Sequence, residues 1–172
     1  NFNWYDAGGV ILPLGTNTNT FTSTEFTPGT YTYFVEETVG SCTSPQASFT
    51  FIIHASPATP SITPAQITIC EGEIPGDFIA NSNNTTVGTF TWYDVDPVAN
   101  PGAVSIGIGS PFPPTQTAPG TYTYWLTETD LTTTCISSPS SATFTINELP
   151  LAPTVSPSTS VTICEFDPNP IF

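Results

Sequence analysis

The sequence contains no Lys, no Arg and no Met, and its only His is His54. Fourteen acidic residues therefore stand almost unopposed, for a formal charge of −14 at pH 7. The missing cations exclude whole classes of partner. Binding to phosphates draws on Lys and Arg, so contact with nucleic acid or with anionic lipid head groups is not expected. Lys–Asn isopeptide cross-links cannot form. Trypsin-like proteases find no cleavage site, which suits a protein exposed outside a cell. No run reaches the ~18 apolar residues of a membrane span, so direct membrane insertion is not expected. No signal peptide is visible.

Charge of either sign is scarce as well. Only 8% of residues are charged, whereas 38% are hydrophobic and 12% aromatic. Acidic disordered chains combine high charge with few aromatics, so this composition favours a folded chain. No segment carries a long 3.6-residue apolar period. The 32 Thr and the aromatics favour strands, and the 19 Pro favour turns, edges and linkers.

What is present is present nearly twice. Asn3-Trp4-Tyr5-Asp6 returns as Thr91-Trp92-Tyr93-Asp94, with Trp92 88 residues after Trp4. Pro28-Gly29-Thr30-Tyr31-Thr32-Tyr33 returns 91 residues later as Pro119-Gly120-Thr121-Tyr122-Thr123-Tyr124. Ile67-Thr68-Ile69-Cys70-Glu71 returns 94 residues later as Val161-Thr162-Ile163-Cys164-Glu165. A period near ninety residues implies an array of small domains, each large enough to bury a core. The drift from 88 to 94 assigns about six extra residues to loops of the second copy.

Registering the copies sets expected boundaries. Residues 1–54 read as the C-terminal part of one unit, 61–148 as a complete unit, and 154–172 as the opening of a third. The segments 55–60 and 149–153 read as Pro-rich linkers, stiffened toward an extended form. Within the complete unit, strands are expected at Ile67–Ile69, Phe78–Ala80, Thr89–Tyr93, Gly120–Thr127 and Thr143–Asn147. Alternation places Phe90 and Trp92, then Tyr122, Tyr124 and Leu126, then Phe144 and Ile146, on inward faces. Short alternating runs between turns describe an all-β antiparallel sandwich. A mid-strand Trp92, and a Tyr122 that resembles a tyrosine corner, point to its immunoglobulin-like form.

Each unit contributes one early and one late cysteine. Cys70 and Cys135 fall in the same unit, and we expect them to form a disulfide worth roughly 4 kcal/mol in the chain-entropy model. Cys42 and Cys164 would then pair outside residues 1–172. Free structural thiols and a zinc site are the alternatives. No C-x-x-C occurs and the separations are 28, 65 and 29 residues, which disfavours zinc. A disulfide implies an oxidising, extracytoplasmic location.

Little else suggests chemistry. His54 follows an apolar strand and reads as structural, since the complete unit has no His for a Ser–His–Asp site. Asp94 and Asp96 form a weak Ca²⁺ candidate on a turn, but Asp6 in the other copy is followed by Ala7-Gly8 and the second acid is not repeated. Glu128 and Asp130 read as the charged rim of a loop, with no cleft for paired-carboxylate glycoside cleavage. Asn83-Asn84-Thr85-Thr86 holds two overlapping Asn-x-Thr matches and reads by default as a polar loop. Tyr93 and Trp125 point away from the inward set and are the candidates for a carbohydrate platform.

Taken together, Ile-Thr-Ile-Cys-Glu-Gly from Ile67, Phe-Thr-Trp-Tyr-Asp from Phe90, Ala-Pro-Gly-Thr-Tyr-Thr-Tyr from Ala118, a late Cys, and Phe-Thr-Ile from Phe144 resemble the Ig-like repeats of giant Bacteroidota surface proteins. These include gliding-motility adhesins of the SprB type, exported by the type IX system. The resemblance implies a non-enzymatic stalk in a cell-surface filament, working in adhesion or gliding without a cofactor. Its partners would be neighbouring repeats, with surface glycans or a substratum as further candidates. The alternatives are a carbohydrate- or surface-binding module and an accessory domain of a secreted enzyme.

Overall fold

The computed structural model describes residues 1–85 and 88–154, together with Thr162 and Glu165. Among these residues the regular structure is all β apart from one short 3-10 turn, Pro13–Gly15. The strands are β1 (Phe2–Tyr5), β2 (Gly29–Val39), β3 (Cys42–Thr43), β4 (Ala47–Ile53), β5 (Ser61–Thr63), β6 (Gln66–Cys70), β7 (Ile79–Asn81), β8 (Thr89–Tyr93), β9 (Gly107–Ile108), β10 (Gly120–Thr129) and β11 (Ser140–Asn147). They form one sheet of β1–β4, one of β6-β11-β10-β8-β9, and a two-stranded ribbon of β5 and β7.

The sequence repeat is a repeat of pairing. In the first sheet Tyr5 lies opposite Phe34 and Gly29 opposite Ile53. In the second, Tyr93 lies opposite Trp125 and Gly120 opposite Ile146. Thus β1, β2 and β4 correspond to β8, β10 and β11. The expected strands are found, with β10 two residues longer than its alternation suggested and β11 starting three residues earlier. Sequence reading missed β5 and β9, each only two or three residues long. It also assigned Phe78 to a strand, whereas Phe78 makes an isolated bridge to Phe112 just before β7.

One ladder departs from the antiparallel expectation. β6 runs parallel to β11, from Gln66 opposite Thr143 to Cys70 opposite Asn147. The unit's early strand therefore lies along its last one, closing the sheet's edge and carrying Cys70 to the end where the chain leaves.

The inward faces are those the alternation indicates. Trp92, Leu126 and Phe144 are wholly buried, and Phe90, Tyr124 and Ile146 nearly so. The β5–β7 layer covers them with Ile62, Ala80 and the fully buried Phe78, which packs on Trp92 and Tyr124 at ring separations of 6.3 and 5.8 Å. Phe112 stacks on Trp92 at 4.6 Å, and the Trp92 indole N–H donates to the Gly109 carbonyl at 2.9 Å. Fully burying aromatics of this size contributes roughly 1.5–3 kcal/mol each, so this cluster is the main source of stability in residues 61–148.

In residues 1–54 the same sheet lacks that second layer. Phe21 takes the part of Phe112, 5.5 Å from Trp4 and 4.9 Å from Tyr33. Among the described residues no counterpart of Phe78 covers them, and Trp4, Phe21, Tyr33, Phe49 and Phe51 line an open apolar groove. Phe49 is 58% exposed, while its equivalent in β11, Ala142, is buried.

The corner suggested at Tyr122 closes, and Tyr31 makes the same kind of bond. The Tyr122 hydroxyl donates to the Ala118 carbonyl at 2.9 Å, and Tyr31 donates to Thr27 at 2.8 Å.

Candidate functional site

The junction between the two sheets holds a dense polar network. Its centre is Glu128, near the end of β10 and only 1% exposed. A buried carboxylate normally takes a cationic partner, and this chain has no Lys or Arg to offer. Neutral donors serve instead. Ser82 Oγ donates at 2.7 and 2.9 Å, Asn84 Nδ2 at 2.8 Å and the Gly88 backbone N–H at 2.7 Å. Hydrogen bonds to a carboxylate are about twice as strong as neutral ones, and these neutral donors stand where an ion pair would otherwise be needed. Gly88 has to be glycine, because a Cβ there would lie 2.2 Å from the Thr129 carbonyl oxygen. The expectation that Glu128 lies on a loop rim is corrected: the strand continues to Thr129 and carries it inside.

The network reaches outward to the linker. Asn84 Oδ1 accepts the Ala58 backbone N–H at 2.7 Å, and Asn83 Nδ2 donates to the Thr59 carbonyl at 2.7 Å. The Asn-x-Thr loop is thus a clasp on residues 58–59. Asn84 is half-buried with its amide committed to Glu128. Glu37, the counterpart of Glu128 in the first sheet, is exposed, but it keeps one part of the arrangement. Its backbone N–H donates to Ser44 Oγ at 2.9 Å, as that of Glu128 does to Ser137 Oγ at 2.9 Å.

Beside the clasp, Asp130 organises the turn that follows β10. Its Oδ1 accepts the Thr133 and Thr132 backbone N–H groups at 2.7 and 2.8 Å and the Thr133 hydroxyl at 3.0 Å. These bonds, the Thr133 N–H foremost, hold its carboxyl below the usual aspartate value, and His54 adds a small push the same way. His54, Ala55, Ser56 and Pro57 face Asn83, Asn84, Asp130 and Thr133 across a shallow groove. The single His is exposed and lies at this junction.

The expected Cys70–Cys135 disulfide is not formed, and Cys42, Cys70 and Cys135 are free thiols. The register explains why. Cys70 pairs with Asn147, at the end of the sheet where β10 begins. Cys135 belongs to the turn after β10, where its carbonyl accepts the Asp130 N–H at 2.9 Å. The ten residues of β10 separate the two ends, about 30 Å at the rise of an extended strand. A disulfide needs its Cα atoms within about 7 Å. Sequence spacing could not reveal this, because the parallel placement of β6 carries the early cysteine to the far end. Cys164 lies outside the described residues.

Asp94 and Asp96 do not converge on a common point with a third acid. Asp94 is exposed, and Asp96 Oδ1 caps its own turn by accepting the Val98 N–H at 2.8 Å. No group of three or more His, Cys, Asp or Glu side chains suited to a metal occurs among the described residues.

Tyr93 and Trp125 do come together, as directly opposed residues on the outer face, both half-exposed. Tyr93 borders a groove with Pro97, Val98, Asn100 and Pro101. The first sheet places Tyr5 and Phe34 at the same positions, with the Tyr5 hydroxyl donating to Glu36 at 2.6 Å. That bond to a carboxylate holds the Tyr5 hydroxyl above its usual pKa. A further open recess lies at the exit end of residues 61–148, between Glu71–Pro75 and Pro114–Thr117.

Compared with models of known protein families and with curated proteins, the chain matches none.

Proposed function

We propose that the chain is a section of an extracellular stalk, built of Ig-like repeats in series and serving adhesion or gliding at a cell surface. One observation carries this reading: the Pro-rich connection is hydrogen-bonded at residues 58 and 59 to the entry end of the following unit. A linker held in this way has its C-terminal end fixed to the following unit, which restricts how successive units turn and gives tension a defined point of entry. The clasp is anchored in turn on buried Glu128, which joins it to the core strand β10. Two copies of the same strand pairing in series, and a surface bearing only negative charge, fit a soluble filament whose neighbours repel one another. Antibodies raised against residues 61–148 should label extended fibres on intact, unpermeabilised source cells. Labelling only after permeabilisation would refute the assignment.

A second reading draws on the repeated outer-face aromatics, Tyr5 with Phe34 and Tyr93 with Trp125. Paired rings in line along a filament could bind glycan chains by stacking. A glycan array in which a Trp125→Ala, Tyr93→Ala variant binds as well as the parent would dismiss it.

A further inference from the structure

The unit 61–148 presents one thiol at each end, and the register of the two sheets shows what those thiols face. Cys70, exposed at the close of β6, stands beside Asn147 at the exit end. Cys135 stands at the entry end, next to Thr133, with its Sγ 3.9 Å from the Thr133 carbonyl. Ile53 and Ile146 occupy equivalent places, opposite Gly29 and Gly120. His54 is therefore the first unit's counterpart of Asn147, and marks where the early cysteine of that unit belongs. His54 and Thr133 line the same junction groove. The position of one unit's early cysteine, beside His54, thus lies at the groove whose other wall, Thr133, is two residues from the next unit's late cysteine.

We propose that the cysteines staple adjacent repeats to each other instead of locking each sandwich internally. The early cysteine of one repeat bonds to the late cysteine of the repeat that follows it. Cys135 takes the early cysteine of the preceding repeat, Cys70 takes the late cysteine of the following repeat, and Cys42 serves the junction before its own unit. The pairing presupposes the tandem stacking proposed above. It accounts for the free thiols of Cys70 and Cys135, which lie at opposite ends of their own unit. Each bond joins two Sγ atoms and breaks two S–H bonds. The two electrons and the two protons pass to the disulfide of an extracytoplasmic thiol–disulfide oxidase, whose S–S bond breaks to give a dithiol. The result is a covalent thread running beside the Pro-rich linkers, so that a cut linker would not part the filament.

The test is a non-reducing peptide map of the intact protein, taken from source cells with free thiols alkylated at lysis. Chymotrypsin suits a chain with no Lys or Arg, and cuts at Phe51, Phe78, Leu131 and Phe144 put Cys70 and Cys135 on different peptides. The expected result is the Cys135 peptide joined, reducibly, to an early-cysteine peptide of another repeat, and the Cys70 peptide joined to a late-cysteine peptide of another repeat. A Cys70–Cys135 link overturns the proposal, as does alkylation of both. Finding no further copies of the two cysteine motifs in the intact protein would defeat the tandem reading itself, a distinct failure.

Discussion

Replacing Glu128 tests the junction network most sharply, because two substitutions have separable effects. Glu128→Ala strands the Gly88 N–H, the Asn84 amide and the Ser82 hydroxyl, all of which now donate to the carboxylate. A buried donor left unsatisfied costs about 1–3 kcal/mol. The Ser82 hydroxyl can turn elsewhere, so two stranded donors and the lost side-chain packing amount to about 3–5 kcal/mol. Glu128→Gln is milder and more local. Its remaining oxygen still accepts from Gly88, and Ser82 can turn to accept from the new amide. The amide would then confront Asn84 Nδ2, donor against donor. Asn84 can relieve this only by flipping, which removes the oxygen that accepts the Ala58 N–H. We therefore expect Glu128→Gln to cost about 1–2 kcal/mol and to deprotect the Ala58 amide selectively. Urea unfolding monitored by Trp fluorescence gives the first quantity, and amide hydrogen exchange gives the second. Loss of less than about 1 kcal/mol in Glu128→Ala would refute the claim that the carboxylate holds this end together.

Other substitutions probe the core and the approach to the junction. Phe78→Ala removes the side chain that seals Trp92 and Tyr124, and should cost about 3–5 kcal/mol in chemical denaturation. Gly88→Ala forces a Cβ toward the Thr129 carbonyl and should cost roughly 1–3 kcal/mol, lowering the thermal midpoint in calorimetry. Burial of the Tyr124 ring pushes its hydroxyl up to about 12, from 10.0. The folded value is the raised one, so its contribution is whole below pH 10 and disappears as pH rises through about 12. Tyrosinate absorbance should show the Tyr124 ring titrating late, with its ionisation coinciding with unfolding.

Much of the fold was legible because the pleat has a period of two. Phe90, Trp92, Tyr124, Leu126, Phe144 and Ile146 are all buried where alternation places them. Repetition of whole motifs identified the equivalent strands, and Gly120-Thr121-Tyr122 marked its corner. What stayed hidden depends on contacts between distant segments. The parallel docking of β6 on β11 leaves no trace in either strand, and it decides where Cys70 lies. Glu128 looks like any polar residue near a strand's end. Only the fold brings Ser82, Asn84 and Gly88 around it, from residues 40 to 46 positions earlier in the chain. Asn83 and Asn84 carry a recognisable motif, but their partners in the linker follow from the path of the chain through residues 54–60.

The central claim is that a clasped linker holds successive units in fixed orientation. Residual dipolar couplings measured on the chain in dilute alignment medium test this directly. The account predicts that amides of β1, β2 and β4 and amides of β6, β8, β10 and β11 fit one common alignment tensor. It further predicts that Asn83→Ala, Asn84→Ala splits this tensor into two. Two independent tensors in the unaltered chain would contradict the account, since units that tumble separately cannot form a stiff stalk.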